Sequence, residues 1–199
     1  MTTVVYKIGG SLLDLPDLGR RVCTLVGQNT GRPLFLVGGG PTADMVREWD
    51  RRHELGQERA HWLALKSLKL NEALVAELLN RATLVANRDE AESVWKQGDW
   101  PLLCAHDFLA CEEQRADPAD RLAHHWDATS DAIAAWITLR WPAERLVLLK
   151  STSLNQAGDA RRRDADNLVD PLFPQLADRL ANVCWVNLRA DQPAIETWK

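Results

Sequence analysis

The 199-residue chain is 46% hydrophobic and 26% charged, with a formal net charge of -4, which excludes disorder throughout and a broad cationic surface for nucleic acid. No apolar run approaches the length of a membrane span, and the N-terminus lacks the basic and apolar regions of a signal peptide. A cytoplasmic protein with one core, a single domain over 1–199, is expected.

The first predicted element is an apolar strand, Val4-Val5-Tyr6-Lys7-Ile8, that runs into Gly9-Gly10-Ser11. Glycines at a strand end let backbone N–H groups converge on one point, and Lys7 adds a full positive charge, so the segment is suited to phosphate. It matches neither G-x-x-x-x-G-K-[ST] nor G-x-G-x-x-G. From Pro16 to about Gln28, Leu15, Leu18, Val22, Leu25 and Val26 recur at helical spacing, and Gly31-Arg32-Pro33 breaks the pattern. Leu34-Phe35-Leu36-Val37 then reads as a strand buried on both faces. Strand, helix and strand make a right-handed parallel crossover. The second strand also ends in glycines, Gly38-Gly39-Gly40, ahead of Pro41, a residue suited to the first turn of a helix. In a parallel sheet both glycine turns lie on one edge, where ligands bind.

A helix is predicted over Glu58 to Asn80, its pattern running through Trp62, Leu65, Leu68, Leu74, Val75, Leu78 and Leu79 with Lys66 and Lys69 on its polar side. Thr83 to Ala86 and Leu102 to Ala105 read as strands around a short helix from Asp89 to Gln97. Glu112 to Arg121 reads as a polar loop. A helix starts near Thr129 and carries Ile133, Ala134, Trp136 and Ile137 inward, and Leu146 to Leu149 is a further apolar strand ending at Lys150. Asn155 to Asp166, with Arg161-Arg162-Arg163, is read as an exposed loop, either solvated or able to fold over phosphates. Pro171 to Leu180 is a helix, and Val183 to Leu188 a last strand before a short tail. The alternation specifies a three-layer α/β/α sandwich with a mostly parallel central sheet.

Cys23, Cys104, Cys111 and Cys184 contain no C-x-x-C pair, so free thiols are expected. His124 and His125 are adjacent, an arrangement that does not readily place both imidazoles on one zinc ion. The nine Trp, against three Phe and one Tyr, are expected in core or interface packing. The segment Asp127-Ala128-Thr129-Ser130-Asp131 clusters carboxylates and hydroxyls at a helix start. Asp127 and Asp131 either share a helix face or Asp127 caps the helix. Asp44 is either a contact for an ammonium group or a first-turn residue favoured by its own helix dipole.

Taken in order, Lys-x-Gly-Gly-Ser at a strand end, Gly-Gly-Gly at the next, and Asp-Ala-Thr-Ser-Asp at a helix start resemble the amino acid kinase family, from Val4 to about Lys150. The resemblance implies ATP-dependent phosphoryl transfer to a small-molecule oxyanion acceptor, with Mg2+ carried chiefly by ATP, and a homodimer. It implies that Lys7 contacts the transferring phosphoryl group, that Gly9, Gly10 and Ser11 line the ATP phosphates, and that Gly38, Gly39 and Gly40 hold the acceptor. Asp131 matches the aspartate that orients the catalytic lysines, and Asp127 and Asp44 fall on the acceptor side. Two departures stand out. Where the family commonly has Thr-Asp-Val-Asp-Gly beside the nucleotide, this chain reads Lys150-Ser151-Thr152-Ser153-Leu154, which leaves Ser151 and Ser153 as the nucleotide-side candidates. The usual glycine-rich segment with a second catalytic lysine has no match, and Lys150, directly after an apolar strand, is the candidate replacement. Within the family the chain is similar to the compact kinases of the methanofuran-pathway type, which convert aminomethylfuranmethyl phosphate to its diphosphate. The second reading is a degenerate member that binds a nucleotide or metabolite without transferring phosphate.

Overall fold

The computed structural model describes residues 1–154 and 168–198. The Arg161–Arg163 run and most of the loop expected around it lie outside the described residues. Strands β1 (Thr3–Ile8), β2 (Arg32–Val37), β3 (Ala82–Val85), β4 (Trp100–Leu103), β5 (Ala143–Lys150), β6 (Val183–Asn187) and β7 (Glu196–Thr197) form one sheet in the order β3-β4-β2-β1-β5-β6-β7. All neighbours are parallel except β6 and β7. The continuous apolar strands β1, β2 and β5 occupy the middle because both their faces are covered. The chain builds outward from β1 through β2 in one direction and returns through β5 in the other, so the strand order switches beside β1. That switch opens a crevice at the C-terminal ends of β1, β2 and β5.

Helices α1 (Leu18–Gly27), α2 (Gly40–His53), α3 (Gln57–Leu78), α4 (Arg88–Lys96), α5 (Ala105–Arg115), α6 (Ser130–Arg140) and α7 (Phe173–Ala177) pack on the sheet. Strand alternation sorts the core into two halves. Val5 and Leu36 face Leu65, Phe108, Ile133 and Phe173, whereas Tyr6, Ile8, Phe35 and Val147 face Val22, Leu25 and Val75. On the second face Tyr6, Phe35 and Trp100 form a ladder of rings with centroids 5.6 and 5.5 Å apart. No helix among the described residues is long and apolar enough to cross a membrane.

Three sequence expectations are corrected. The stretch from Glu112 is not loop at its start, because α5 continues through Arg115. Glu112 and Glu113 are buried and paired: the Arg88 guanidinium reaches Glu112 at 2.6 and 3.0 Å, and His124 meets Glu113 at 2.9 Å. Partners distant in sequence thus make a polar-looking segment helical. The fourth strand begins at Trp100, earlier than the apolar run suggests, and Ala105 already opens α5, its N–H held by the Glu72 carboxylate at 3.0 Å. The C-terminal tail returns along β6 as the antiparallel edge strand β7.

Candidate active site

Alternation along two strands sets the floor of the crevice. Lys7 follows Val5 on β1, and Lys150 follows Leu146 and Leu148 on β5, so both lysines project from the face that carries α6. Asp131, in the first turn of α6, lies between them: Lys7 Nζ donates to its Oδ1 at 2.7 Å and Lys150 Nζ to its Oδ2 at 2.6 Å. Lys150 Nζ also donates to the Leu168 carbonyl at 2.7 Å and stands 5.2 Å from the Trp185 ring centre. Lys7 and Asp131 are buried, at 3% and 5% exposure. Burial alone would raise the Asp131 carboxyl, but the ammonium groups of Lys150 and Lys7 outweigh it and draw the pKa down to about 2. Burial pulls Lys150 the other way, below an ordinary lysine, with Asp131 opposing. Two cations meet on the Asp131 carboxylate, with Asp170 lining the same crevice, and their ammonium protons are the groups placed to meet an oxyanion.

The glycine loops close over this floor. The Gly38 N–H bonds the Ile8 carbonyl and the Gly9 N–H bonds the Leu149 carbonyl, both at 2.8 Å, which ties the two turns to the strand ends. A Cβ on Gly10 would lie 2.1 Å from the Gly40 nitrogen, and Gly40 itself has φ +49°, so only glycine permits this backbone contact. A Cβ on Gly38 would meet the Ser130 hydroxyl at 3.0 Å and Lys7 Nζ at 3.2 Å. Behind the second loop, Asn71 of α3 donates from Nδ2 to the carbonyls of Gly38 and Gly39 at 2.9 and 2.7 Å. Peptide planarity then turns the N–H groups of Gly39 and Gly40 away from Asn71. Among the described residues neither finds a backbone acceptor.

Two chambers meet at the loops. An open crevice of about 320 Å³ lies over Lys7, Gly9, Gly10, Asp131 and Lys150. A smaller cavity of about 110 Å³ lies between α2, α3 and the start of α6, lined by Gly39, Gly40, Asp44 and His61 among others. Arg47, Trp126, Thr129 and Ser130 border both. Arg47 pairs with Asp44 at 2.6 Å and lies 4.9 Å from the Trp126 ring centre. Trp126 in turn donates from Nε1 to Asp50 at 2.7 Å.

The structure thus gathers Lys7, Gly9, Gly10, Gly38, Gly39, Gly40, Asp131 and Lys150 at one place, with Asp44 at the mouth of the smaller cavity. Ser11 and Ser151 join hydroxyl to hydroxyl at 3.1 Å across the outer end of the crevice, and Ser153 accepts from Asn187 Nδ2 at 3.0 Å. Asp127 stands apart. Its side chain is 67% exposed, 3.5 Å from His125 Nδ1, and it borders neither chamber.

Neither arrangement expected for Asp127 at the helix start occurs, because Thr129 is the N-cap residue of α6. The capping carboxylate comes from Asp170, whose Oδ2 accepts from the Thr129 N–H at 3.1 Å, the Thr129 hydroxyl at 2.9 Å and the Ala132 N–H at 2.9 Å. Asp170, Asn71, Arg47, Trp126 and His61 are the site residues that sequence reasoning missed. Only Asn71 carried a signal: a polar residue between Leu68 and Val75 on the inward stripe of α3.

The donor set fits phosphate groups, since lysine ammoniums and backbone N–H groups around a glycine cradle match their oxygens. It offers little to a bare metal ion. Asp131 is held by two lysines and Asp170 by its helix cap, and no group of three His, Cys, Asp or Glu among the described residues is placed to hold a metal.

Comparison with known proteins gives the same direction. The family model described as the amino acid kinase family matches residues 2–154. A curated protein of Methanocaldococcus jannaschii, [5-(aminomethyl)furan-3-yl]methyl phosphate kinase, is 26% identical over 134 residues, or 67% of this chain. The matched segment spans 58% of that relative's length. Among solved structures, UMP kinase from Ureaplasma parvum is similar with TM-score 0.62 at 11% identity, covering 93% of this chain and 89% of that one. Uridylate kinase from Archaeoglobus fulgidus gives TM-score 0.57 at 17% identity, with the same coverage of 93% and 89%. At such identities the structures establish a shared fold.

Proposed function

This chain belongs to the amino acid kinase family, and on that premise we propose that it transfers the γ-phosphoryl group of ATP to an oxygen of a small acceptor. The acceptor class we favour is a phosphorylated small ring compound, with [5-(aminomethyl)furan-3-yl]methyl phosphate, named in the Methanocaldococcus jannaschii relative, as the first to try. The observation that carries the reading is the Lys7–Asp131–Lys150 bridge, at 2.7 and 2.6 Å, beneath two touching glycine loops.

In this reading an acceptor oxygen attacks the γ-phosphorus while the bond to the β,γ-bridging oxygen breaks, leaving ADP. Such a transfer asks the protein for positioning and for neutralisation of charge on the phosphate oxygens, and needs no protein nucleophile. Lys7 and Lys150 meet the transferring group from two neighbouring strands, and Asp131 fixes both ammoniums. The N–H groups of Gly39 and Gly40 hold the acceptor phosphate, and Gly9, Gly10 and Ser11 line the nucleotide phosphates, with Ser151 and Ser153 further along the nucleotide side. Mg2+ bound with ATP would supply further charge neutralisation on the nucleotide phosphates. Asp44, paired with Arg47 at the mouth of the acceptor cavity, is placed for an ammonium substituent.

The position of Lys150 on Asp131 supports catalysis by answering one of the two departures behind the binding-only reading, the missing second lysine; the other is the missing Asp-Val-Asp-Gly segment. A homodimer belongs to the same reading and is supported by Leu70, Leu74 and Leu78, exposed on successive turns of α3; light scattering on the purified protein tests it. Phosphorus NMR of ATP, Mg2+ and a panel of small monophosphates tests the reaction. New diphosphate resonances alongside ADP are expected. Calorimetric binding of ATP without any new resonance would leave the binding-only protein.

A further inference from the structure

We propose that Trp185 is a positioning residue for the transfer, its indole face holding the Lys150 ammonium in place and charged at the floor of the crevice. This rests on the reading of Lys150 as a contact for the transferring phosphoryl group and adds what keeps it fit for that contact. Trp185 lies in β6 opposite Leu148 of β5, and Lys150 follows Leu148 on the same face after one strand period. The ammonium stands over the indole, 5.2 Å from the ring centre, within reach of a cation–π contact.

Lys150 has little other charge to draw on. Asp131 is shared, one carboxylate oxygen taking Lys7 at 2.7 Å and the other Lys150 at 2.6 Å. Asp170 lines the same crevice, but its carboxylate is engaged by the N–H groups of Thr129, Ala132 and Phe173. Burial, and after it the Lys7 ammonium, push Lys150 below an ordinary lysine, while Asp131 and Asp170 oppose. An aromatic face carries partial negative charge without being a counter-ion, and its pull on a cation grows where water is excluded.

The ring is fixed in the orientation this requires. Trp185 is fully buried, its Nε1 donates to the Thr152 carbonyl at 2.8 Å, and Trp198 stacks on it with centroids 5.8 Å apart and planes at 17°. Phe173 meets Trp198 edge-on at 5.4 Å. Held by both contacts, the indole cannot turn its positive edge to the ammonium. Trp198 directly follows β7, so the edge strand that carries the C-terminal tail back along β6 also buttresses Lys150.

The test follows the kcat–pH profile and the titration of Lys150 in wild type, Trp185→Phe and Trp185→Leu. Carbon NMR of lysine labelled at Cε, assigned through Lys150→Arg, reads the Lys150 midpoint whether or not the protein turns over. Without the face Lys150 should lose its proton earlier as pH rises. Trp185→Leu is expected to bring the alkaline limb of kcat and the NMR midpoint down together by about one pH unit, equivalent to about 1.4 kcal/mol. Trp185→Phe should move both by less, because phenyl keeps a weaker face. Both variants lose the Nε1 bond to Thr152, so the difference between them belongs to the face.

An unmoved limb, a midpoint that stays or rises, or equal shifts in the two variants overturns the proposal. So does a loss confined to melting temperature, which marks a ring that only fills the core. If wild type releases no ADP with any small monophosphate, the kinase reading fails, and the NMR midpoint alone decides whether Trp185 holds Lys150 charged. Should the variants not fold, fluorotryptophan in place of Trp185 alone keeps the shape of the ring and weakens its face. The midpoint should then fall by a smaller step, and an unchanged midpoint overturns the proposal.

Discussion

The crevice over Lys7 and the cavity beside His61 share a wall of Arg47, Trp126, Thr129 and Ser130, yet opposite physics builds them. The crevice is open, and its floor is two cations on one buried carboxylate. The cavity is small and mostly apolar, and His61, whose imidazole is neutral near pH 7, is among the residues lining it. Charge concentrated under an open mouth suits a group that arrives highly charged and must leave again. A narrow apolar cavity suits recognition by shape. On the proposed function, chemistry and choice of acceptor fall to separate residues, and substitutions should separate them.

The largest effect belongs to the charged side. Asp131→Asn strands two buried ammoniums without their carboxylate, so kcat should fall about a thousandfold and stability by about 3–5 kcal/mol. Steady-state kinetics and urea unfolding measure the two losses, and a variant that binds acceptor poorly but turns over normally would break the comparison. Next comes Gly10→Ala, whose methyl would sit 2.1 Å from the Gly40 nitrogen. Because that contact joins the chambers, the expected loss of roughly a hundredfold in kcat/KM should appear for ATP and acceptor alike.

Lys150 gives a pH signature. Burial lowers its pKa, so the ammonium is present at low pH and is lost, as pH rises, before an ordinary lysine near about 10.4 would lose its proton. The kcat profile should therefore fall on an alkaline limb below that value. Lys150→Arg should push the limb upward at reduced kcat, and Lys150→Ala with unchanged turnover removes the residue from the mechanism.

Asp170→Ala removes the cap that seats α6 and, with it, Asp131. A loss of about 1 kcal/mol in stability and of roughly tenfold in kcat is expected, with acceptor KM little changed. The smallest effect is Asp44→Asn, a rise of about threefold in KM for an ammonium-bearing acceptor and none for ATP. An unchanged KM would leave Asp44 as no more than a first-turn partner of Arg47.

Much of the crevice was legible before any coordinates. Two apolar strands ending in glycines had to meet at one edge of a parallel sheet. The two-residue alternation that places Val5 and Lys7 on one face of β1, and Leu148 and Lys150 on one face of β5, is written in the chain. Asp131 came from the family resemblance, since its place at a helix start reads by itself as an ordinary first-turn carboxylate. The acceptor side was far less legible. His61 looks like any residue of an amphipathic helix, and its stacking on His124, which the carboxylates of Glu58 and Glu113 hold in place, joins residues far apart in the chain.

Asp127 was expected to cap or face α6. The cap instead comes from Asp170, 41 residues beyond Thr129, and no local pattern announces a partner at that distance. The helical Glu112 was hidden for the same reason, its charge answered by Arg88 from α4.

Strand period and turn chemistry are local, so the parallel strands, the glycine turns and the alternation that carries each lysine can be read along the chain, whereas the antiparallel edge strand β7 cannot. Packing alone brought the two lysines onto one carboxylate, set Asp170 at the cap of the helix carrying it, and buried His61 against the rings of Trp62 and His124. Each of those depends on which distant side chain excludes water from which polar atom, and that is settled only when the layers pack.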